Sequence, residues 1–176
     1  MESQVKLYCG FKLDEVSEKL VLRAQGMAQV EKPLEVTPAD RFHVTTAFLG
    51  EMSLAKASSI LRAAAQEREF LCRIGAPAGF PAVLYLSVQC EAAHRVRDLQ
   101  AARLKELTGK DLWPKVYIPH VTLAKVNLQH GQAGEAIGRA MERIKDFTTG
   151  AFTVHSLCLF NKSEVLDEVQ LPPVGP

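Results

Sequence analysis

The sequence has no glycine-rich phosphate loop, no Cys-x-x-Cys pair, no run of about 18 apolar residues and no excess of charge of either sign. Each absence excludes a class. Without the loop, nucleotide kinases and dinucleotide oxidoreductases fall away, and without the long apolar run no membrane span is expected. With 21 Lys and Arg against 20 Asp and Glu, a dense basic coat for long nucleic acid is excluded, so a polyanionic substrate would be met at one small site. Four Cys, at positions 9, 72, 90 and 158, lack metal-type spacing, which predicts reduced thiols in a cytoplasmic or nuclear protein. The N-terminal stretch carries charges through its apolar run and fits neither a secretory nor a transit signal.

What is present is ordinary for a globular chain of 176 residues: 47% apolar and 23% charged side chains, enough for one sizeable core. Patterning predicts strands at 5–13, 42–50, 70–75, 82–89 and 116–126, and a long final strand at 150–163. Helices are expected at 14–28, 53–69, 91–107 and 132–146. Residues 31–41 and the stretch GAPAGFP read as loops, Gly10 as a bulge or a close approach, and Pro119 as an edge or strand-start position. The loop between the third and fourth strands is too short for a parallel crossover, so an α+β fold with antiparallel pairing is expected. Residues 1–163 are read as one bilobal domain and the acidic, then Pro-rich, residues 164–176 as a surface or mobile tail.

One tripeptide occurs twice, His43-Val44-Thr45 and His120-Val121-Thr122, both times in a predicted strand and 77 residues apart. Alternation along a strand puts His and Thr on one face and the Val between them on the other. Each copy is then an imidazole beside a hydroxyl with an apolar anchor behind it. Cleavage of a phosphodiester needs two such units: a neutral imidazole to take a proton from the attacking water and a protonated one to give a proton to the leaving oxygen. Two hydroxyls stabilise the added charge on the non-bridging oxygens. No metal or cofactor is required by that chemistry, and no carboxylate or Cys stands at ligand spacing beside either His.

The order of landmarks FHVTTAFLGE, GFPAVLYLSV, PHVTLAKV and FTVHSLCLFNKS resembles that of the 2H phosphoesterases, most closely the LigT-type RNA 2′,3′-cyclic phosphodiesterases. The resemblance runs over nearly the whole chain. It implies a duplicated α+β fold with internal pseudo-twofold symmetry, two antiparallel sheets around a central cleft and helices outside. His43, Thr45, His120 and Thr122 would be catalytic in a metal-independent hydrolysis of 2′,3′-cyclic phosphate termini to 2′-phosphates, on RNA 3′ ends or nucleoside 2′,3′-cyclic phosphates. A 2′,5′-phosphodiesterase of oligoadenylate type, or a non-catalytic nucleotide-binding module of the same fold, stands as the alternative. A monomer is expected, and the chain could equally be one domain of a larger RNA-repair protein.

Lys125, five residues after His120, stands where many family members carry a cation that contacts the phosphate. A simple pleat would turn it away from His120, so that role requires a bulge. Phe48 is the matching position of the first motif and a candidate for base stacking; Phe11, Tyr8, Tyr117 and Trp113 are the other stacking candidates, and the ordinary role of each of these aromatics is core or rim. His94, His130 and His155 lack the Thr two residues on and are assigned to structure or surface, with His155 on the strand that borders the family's cleft.

Overall fold

The first half of the chain runs β1 (Lys6–Lys12), α1 (Glu15–Ala28), β2 (Leu34–Val36), β3 (His43–Glu51), α2 (Leu54–Arg62) and β4 (Phe70–Phe80) in the computed structural model, which describes residues 6–126, 133–147 and 150–175. The second half runs β5 (Val83–Gln89), α3 (Glu91–Thr108), β6 (His120–Val126), α4 (Gly134–Ile144), β7 (Ala151–Val154), β8 (Ser156–Asn161) and β9 (Glu164–Gln170). The α+β class is as expected from sequence. A displacement of 77 residues, the spacing of the two motifs, carries β1 onto β5 and the start of β3 onto that of β6, so the duplication is one of structure as well as of motif.

Every strand pairing is antiparallel, in the order β7-β4-β5-β6-β3-β1-β8-β9 with β2 alongside β6. Read from the centre outward, each half contributes its motif strand, then β1 or β5. The next strand comes from the other half: β8 lies on β1 and β4 on β5. Where two sheets were expected, the strands thus form one continuous sheet, and the two motif strands, β3 and β6, meet at a single registered pair, Val44 opposite Val121. That junction is narrow because the strands diverge on either side of it to leave a cleft. Both valines are fully buried and hold the seam from the core side.

The helices cover the sheet, α1 against α4 and α2 against α3. In α4 the buried residues are Ala136, Ile137, Ala140 and Ile144, one stripe at helical spacing. Asp14 caps α1 by accepting from the Ser17 amide at 2.7 Å, and Gly109 ends α3 in the left-handed conformation that its missing Cβ permits. Gly10 answers the sequence expectation on both counts. The β1–β3 register shifts between Cys9 and Gly10, and a Cβ at Gly10 would lie 2.2 Å from the Val44 carbonyl oxygen.

Several boundaries differ from the sequence reading, each for a physical reason. The stretch GAPAGF is strand, not loop: β4 crosses a register shift between Ile74 and Pro77, where the missing proline N–H costs no ladder bond. Helix α2 stops at Arg62 because the amides of Ala63, Ala64 and Ala65 turn to carbonyls three residues back. β6 starts at His120, since Pro119 cannot donate to a ladder, and the expected loop at 31–41 contains β2 and a turn of 3-10 helix at Ala39–Arg41. The single last strand is broken at His155, with β7 pairing β4 and β8 pairing β1. Of the expected surface or mobile tail, residues 164–170 form strand β9 at the surface, folded back on β8 through a turn at Lys162 and Ser163 and held by an Arg62–Asp167 ion pair. Its Glu164, Asp167 and Glu168 put charge on an edge strand, which suits a sheet edge open to solvent.

Candidate active site

Because Val44 and Val121 are paired and buried, His43, Thr45, His120 and Thr122 stand together on the opposite face, where they line one cleft of about 480 Å³. The two imidazoles are tethered alike. His43 Nδ1 lies 2.7 Å from the Arg41 carbonyl oxygen and His120 Nδ1 lies 2.8 Å from that of Ile118, each two residues upstream. A carbonyl only accepts, so Nδ1 carries the hydrogen and Nε2 is left free of it in the neutral ring. Each ring also leans on a tyrosine 35 residues before it: Tyr8 at 4.8 Å from His43, between centroids, and Tyr85 at 4.9 Å from His120.

The hydroxyls differ. Thr45 Oγ1 lies 3.0 Å from His43 Nε2 and donates to it, whereas Thr122 makes no such bond to His120 among the described residues. The charges differ as well. Burial depresses the His43 imidazole to about 4, helped by the nearby cations Lys125 and His120 and opposed by the Arg41 carbonyl. Burial also lowers His120, opposed by the Ile118 carbonyl and helped by Lys125. His43 is the ring more firmly held in its neutral, proton-accepting form.

Lys125 and Phe48 both reach the cleft, and the bulge that this requires is present in each half. On β6 the register with β5 passes from Tyr85↔Thr122 to Leu84↔Ala124, which leaves Leu123 as the extra residue. On β3 the register with β1 passes from Gly10↔Thr45 to Cys9↔Ala47, which leaves Thr46 extra. The extra residue resets the alternation, so the residue five after each His faces the same side as the His. Phe48 is accordingly 51% exposed between the buried Ala47 and Leu49.

Each half supplies a side-chain donor from a helix to the carbonyl of its bulged residue. Arg97 on α3 donates to the Thr46 carbonyl at 2.8 Å and to that of Pro114. Gln25 on α1 donates to the Leu123 carbonyl at 2.8 Å and to that of Thr37 at 2.8 Å. Thr46 and Leu123 each lie three residues after a motif His, and Thr37 and Pro114 each lie six before the other one. Both side chains therefore tie the exit of one motif to the approach of its counterpart.

Three of the sequence candidates do not line the cleft. Phe11 is fully buried and packs edge-on against Phe70 at 5.5 Å, because the register shift at Gly10 turns it to the core. Tyr117 lies behind the cleft, with its hydroxyl donating to the Thr45 carbonyl at 2.8 Å and the Arg97 guanidinium 4.6 Å over its ring. Trp113 is 73% exposed and outside the cleft. His155 is an exposed residue 2.7 Å from Glu69, His94 packs against Tyr117, and His130 lies outside the described residues. Tyr8, one of the stacking candidates, lines the cleft, as do Glu35, Arg41 and Lys162, which were not singled out. The position of Arg41 two residues before His43 is the one signal that would have marked it.

A family model described as the 2′-5′ RNA ligase superfamily matches residues 15–165. Among solved structures, TT0787 of Thermus thermophilus superposes with a TM-score of 0.75 at 21% identity, covering 97% of this chain and 100% of that one. Escherichia coli LigT complexed with 3′-AMP superposes with a TM-score of 0.70 at 14% identity, covering 96% and 99%. Usb1 of Kluyveromyces marxianus superposes at 0.57 and 12%, covering 94% and 97%. No curated protein matches the chain in sequence.

Proposed function

Since this chain belongs to the 2′-5′ RNA ligase superfamily, we propose that it is a phosphodiesterase that opens 2′,3′-cyclic phosphate ends of RNA or nucleotides to 2′-phosphates by two-histidine acid/base catalysis. The observation that carries this reading is the pair of Nδ1-tethered imidazoles, each with a threonine on the same face of the same cleft. His43, the more strongly neutral ring, takes the proton of the attacking water on Nε2. His120, whose depression is relieved once an anionic phosphate lies beside it, gives its proton to the leaving 3′ oxygen. Thr45 and Thr122 donate to the non-bridging oxygens, and Lys125 supplies a fixed positive charge to the same group. Water attacks phosphorus, the bond to the 3′ oxygen breaks, and the proton removed at one ring is balanced by the proton delivered from the other.

The family name favours one further reading, a 2′,5′-phosphodiester as the bond cleaved or joined. The deciding experiment offers chelator-treated protein a nucleoside 2′,3′-cyclic phosphate and 2′,5′-linked oligoadenylate in parallel. Turnover of the cyclic substrate with the 2′-phosphate as product is expected. Release of mononucleotides from the 2′,5′-linked oligomer alone would transfer the reading to that bond, and binding of both without turnover would make the chain a nucleotide-binding module.

A further inference from the structure

The cationic side chains of the cleft fall into two groups. Lys125 acts on both imidazoles and belongs with the reacting phosphate. Arg41 and Lys162 are placed elsewhere, by their own backbones. The Arg41 carbonyl accepts from His43 Nδ1, and the Lys162 carbonyl accepts from the Tyr8 hydroxyl. The Tyr8 and His43 rings stack 4.8 Å apart, so two adjacent rings anchor the two residues at the same end of the cleft, beyond His43. Both residues line that cleft, the Arg41 charge acts on the Tyr8 hydroxyl, and neither side chain makes an ion pair or a hydrogen bond among the described residues. Glu35, the only carboxylate lining it among the described residues, stands opposite Lys125 in the β2–β6 register, at the other group.

Two features say that this end is built for an anion. Lys162 is held at φ 55, a left-handed conformation that costs a lysine about 1 kcal/mol or more and that glycine or asparagine would adopt readily. The hydrogen bond from Tyr8 holds that turn, and the strained residue is one that lines the cleft. The arrangement is also absent from the other half: the residue tethered to His120 in the place of Arg41 is Ile118, and no cation lies beyond that ring in the cleft lining.

We propose that Arg41 and Lys162 form a second phosphate subsite that takes the phosphodiester one nucleotide upstream of the reacting group, and hence that the substrate is an RNA chain end and not a free nucleoside cyclic phosphate. The proposal rests on the cyclic phosphodiesterase reading above. Each side chain forms charge-assisted hydrogen bonds to a phosphate that a mononucleotide lacks. One such phosphate is reached without a basic coat, in keeping with a net charge of +1.

The experiment compares kcat/KM for a nucleoside 2′,3′-cyclic monophosphate with that for a dinucleotide ending in a 2′,3′-cyclic phosphate. The wild type should favour the dinucleotide by about tenfold or more, the contribution expected of charge-assisted phosphate contacts. In Arg41→Gln and in Lys162→Asn, whose asparagine tolerates the left-handed turn, that ratio should collapse toward one. A wild-type ratio near one, or a ratio unchanged in both variants, overturns the subsite. If neither substrate is turned over, the hydrolytic reading fails on its own. The subsite is then decided by equilibrium binding of the mononucleotide and dinucleotide 3′-phosphates, where equal affinities for wild type overturn it and a preference lost in both variants upholds it.

Discussion

The two halves of the cleft repeat one another in backbone and diverge in charge. Each has a buried valine at the seam, an Nδ1 tether two residues upstream, a tyrosine against the imidazole and a bulge one residue after the threonine. The departures lie at three places: Arg97 where the first helix has Gln25, Lys125 where the first motif has Phe48, and Arg41 where the second has Ile118. Repetition supplies geometry, two equivalent imidazoles on one face. Two equivalent groups cannot be acid and base at once in the same turnover, so the division of labour must come from the residues that do not repeat. Lys125 depresses both rings, so the greater burial of His43 is what separates it from His120.

Removing either imidazole is the strongest way to test that division. His43→Ala and His120→Ala should each lower kcat by about 10³-fold, within the range for general acid/base groups. The pH profile of kcat/KM tells them apart. The acid limb of the wild-type profile should sit near pH 4 and vanish in His43→Ala, while the alkaline limb should vanish in His120→Ala. Loss of the same limb in both variants would mean that the rings share one role. Wild-type turnover in either variant would remove the mechanism.

The repeat itself was plain in the sequence, because two His-x-Thr units in β-rich segments need no partner to be seen, and the α+β class followed from them and from one short connection. The bulges were not legible. They are defined by what lies across the ladder from Thr46 and Leu123, and a strand read alone carries no register. The same limit explains Phe11, whose side is fixed by the shift at Gly10, and β9, whose acidic residues look like tail until β8 is laid beside them. Arg41 and Lys162 are two of 21 Lys and Arg, and apart from the place of Arg41 two residues before His43 nothing local distinguishes them. Arg97 lies in a stretch, 95–125, with seven Lys and Arg against three Asp and Glu, where the fold uses it as a buried clamp and pairs Arg95, Arg103 and Lys105 with carboxylates at the surface.

The clamps make a smaller but sharper contrast. Arg97→Ala leaves the Thr46 and Pro114 carbonyls without their donor and removes the cation above Tyr117, which should cost about 3 kcal/mol of stability. Gln25→Ala should cost about 1 kcal/mol, since the Leu123 carbonyl keeps the Thr37 amide at 2.8 Å. Chemical denaturation gives both values. If the clamps set the position of the motifs, kcat should fall about tenfold in Arg97→Ala with KM little changed, and Arg97→Lys, which cannot span both carbonyls, should recover stability better than kcat. Equal losses of stability in the two alanine variants would show the clamps to be energetically symmetric despite their different chemistry.

The smallest expected difference is in the pH dependence of stability. Burial keeps the His43 ring neutral down to about 4 in the folded protein, whereas an unfolded chain protonates it near its ordinary value of 6.5. Between those values the unfolded state holds the extra proton, so stability is fully present above pH 6.5 and falls as pH drops through the window toward 4. Below that the folded ring protonates too, and the slope from this group ends. The total is at most about 3 kcal/mol, and less for His120, whose shift is the smaller. Denaturation midpoints followed from pH 7 to pH 4 should therefore decline less steeply in His43→Gln than in wild type, with His120→Gln between the two. If the order of the two variants is reversed, His120 is the more strongly neutral ring, and the base and acid roles exchange places across the seam.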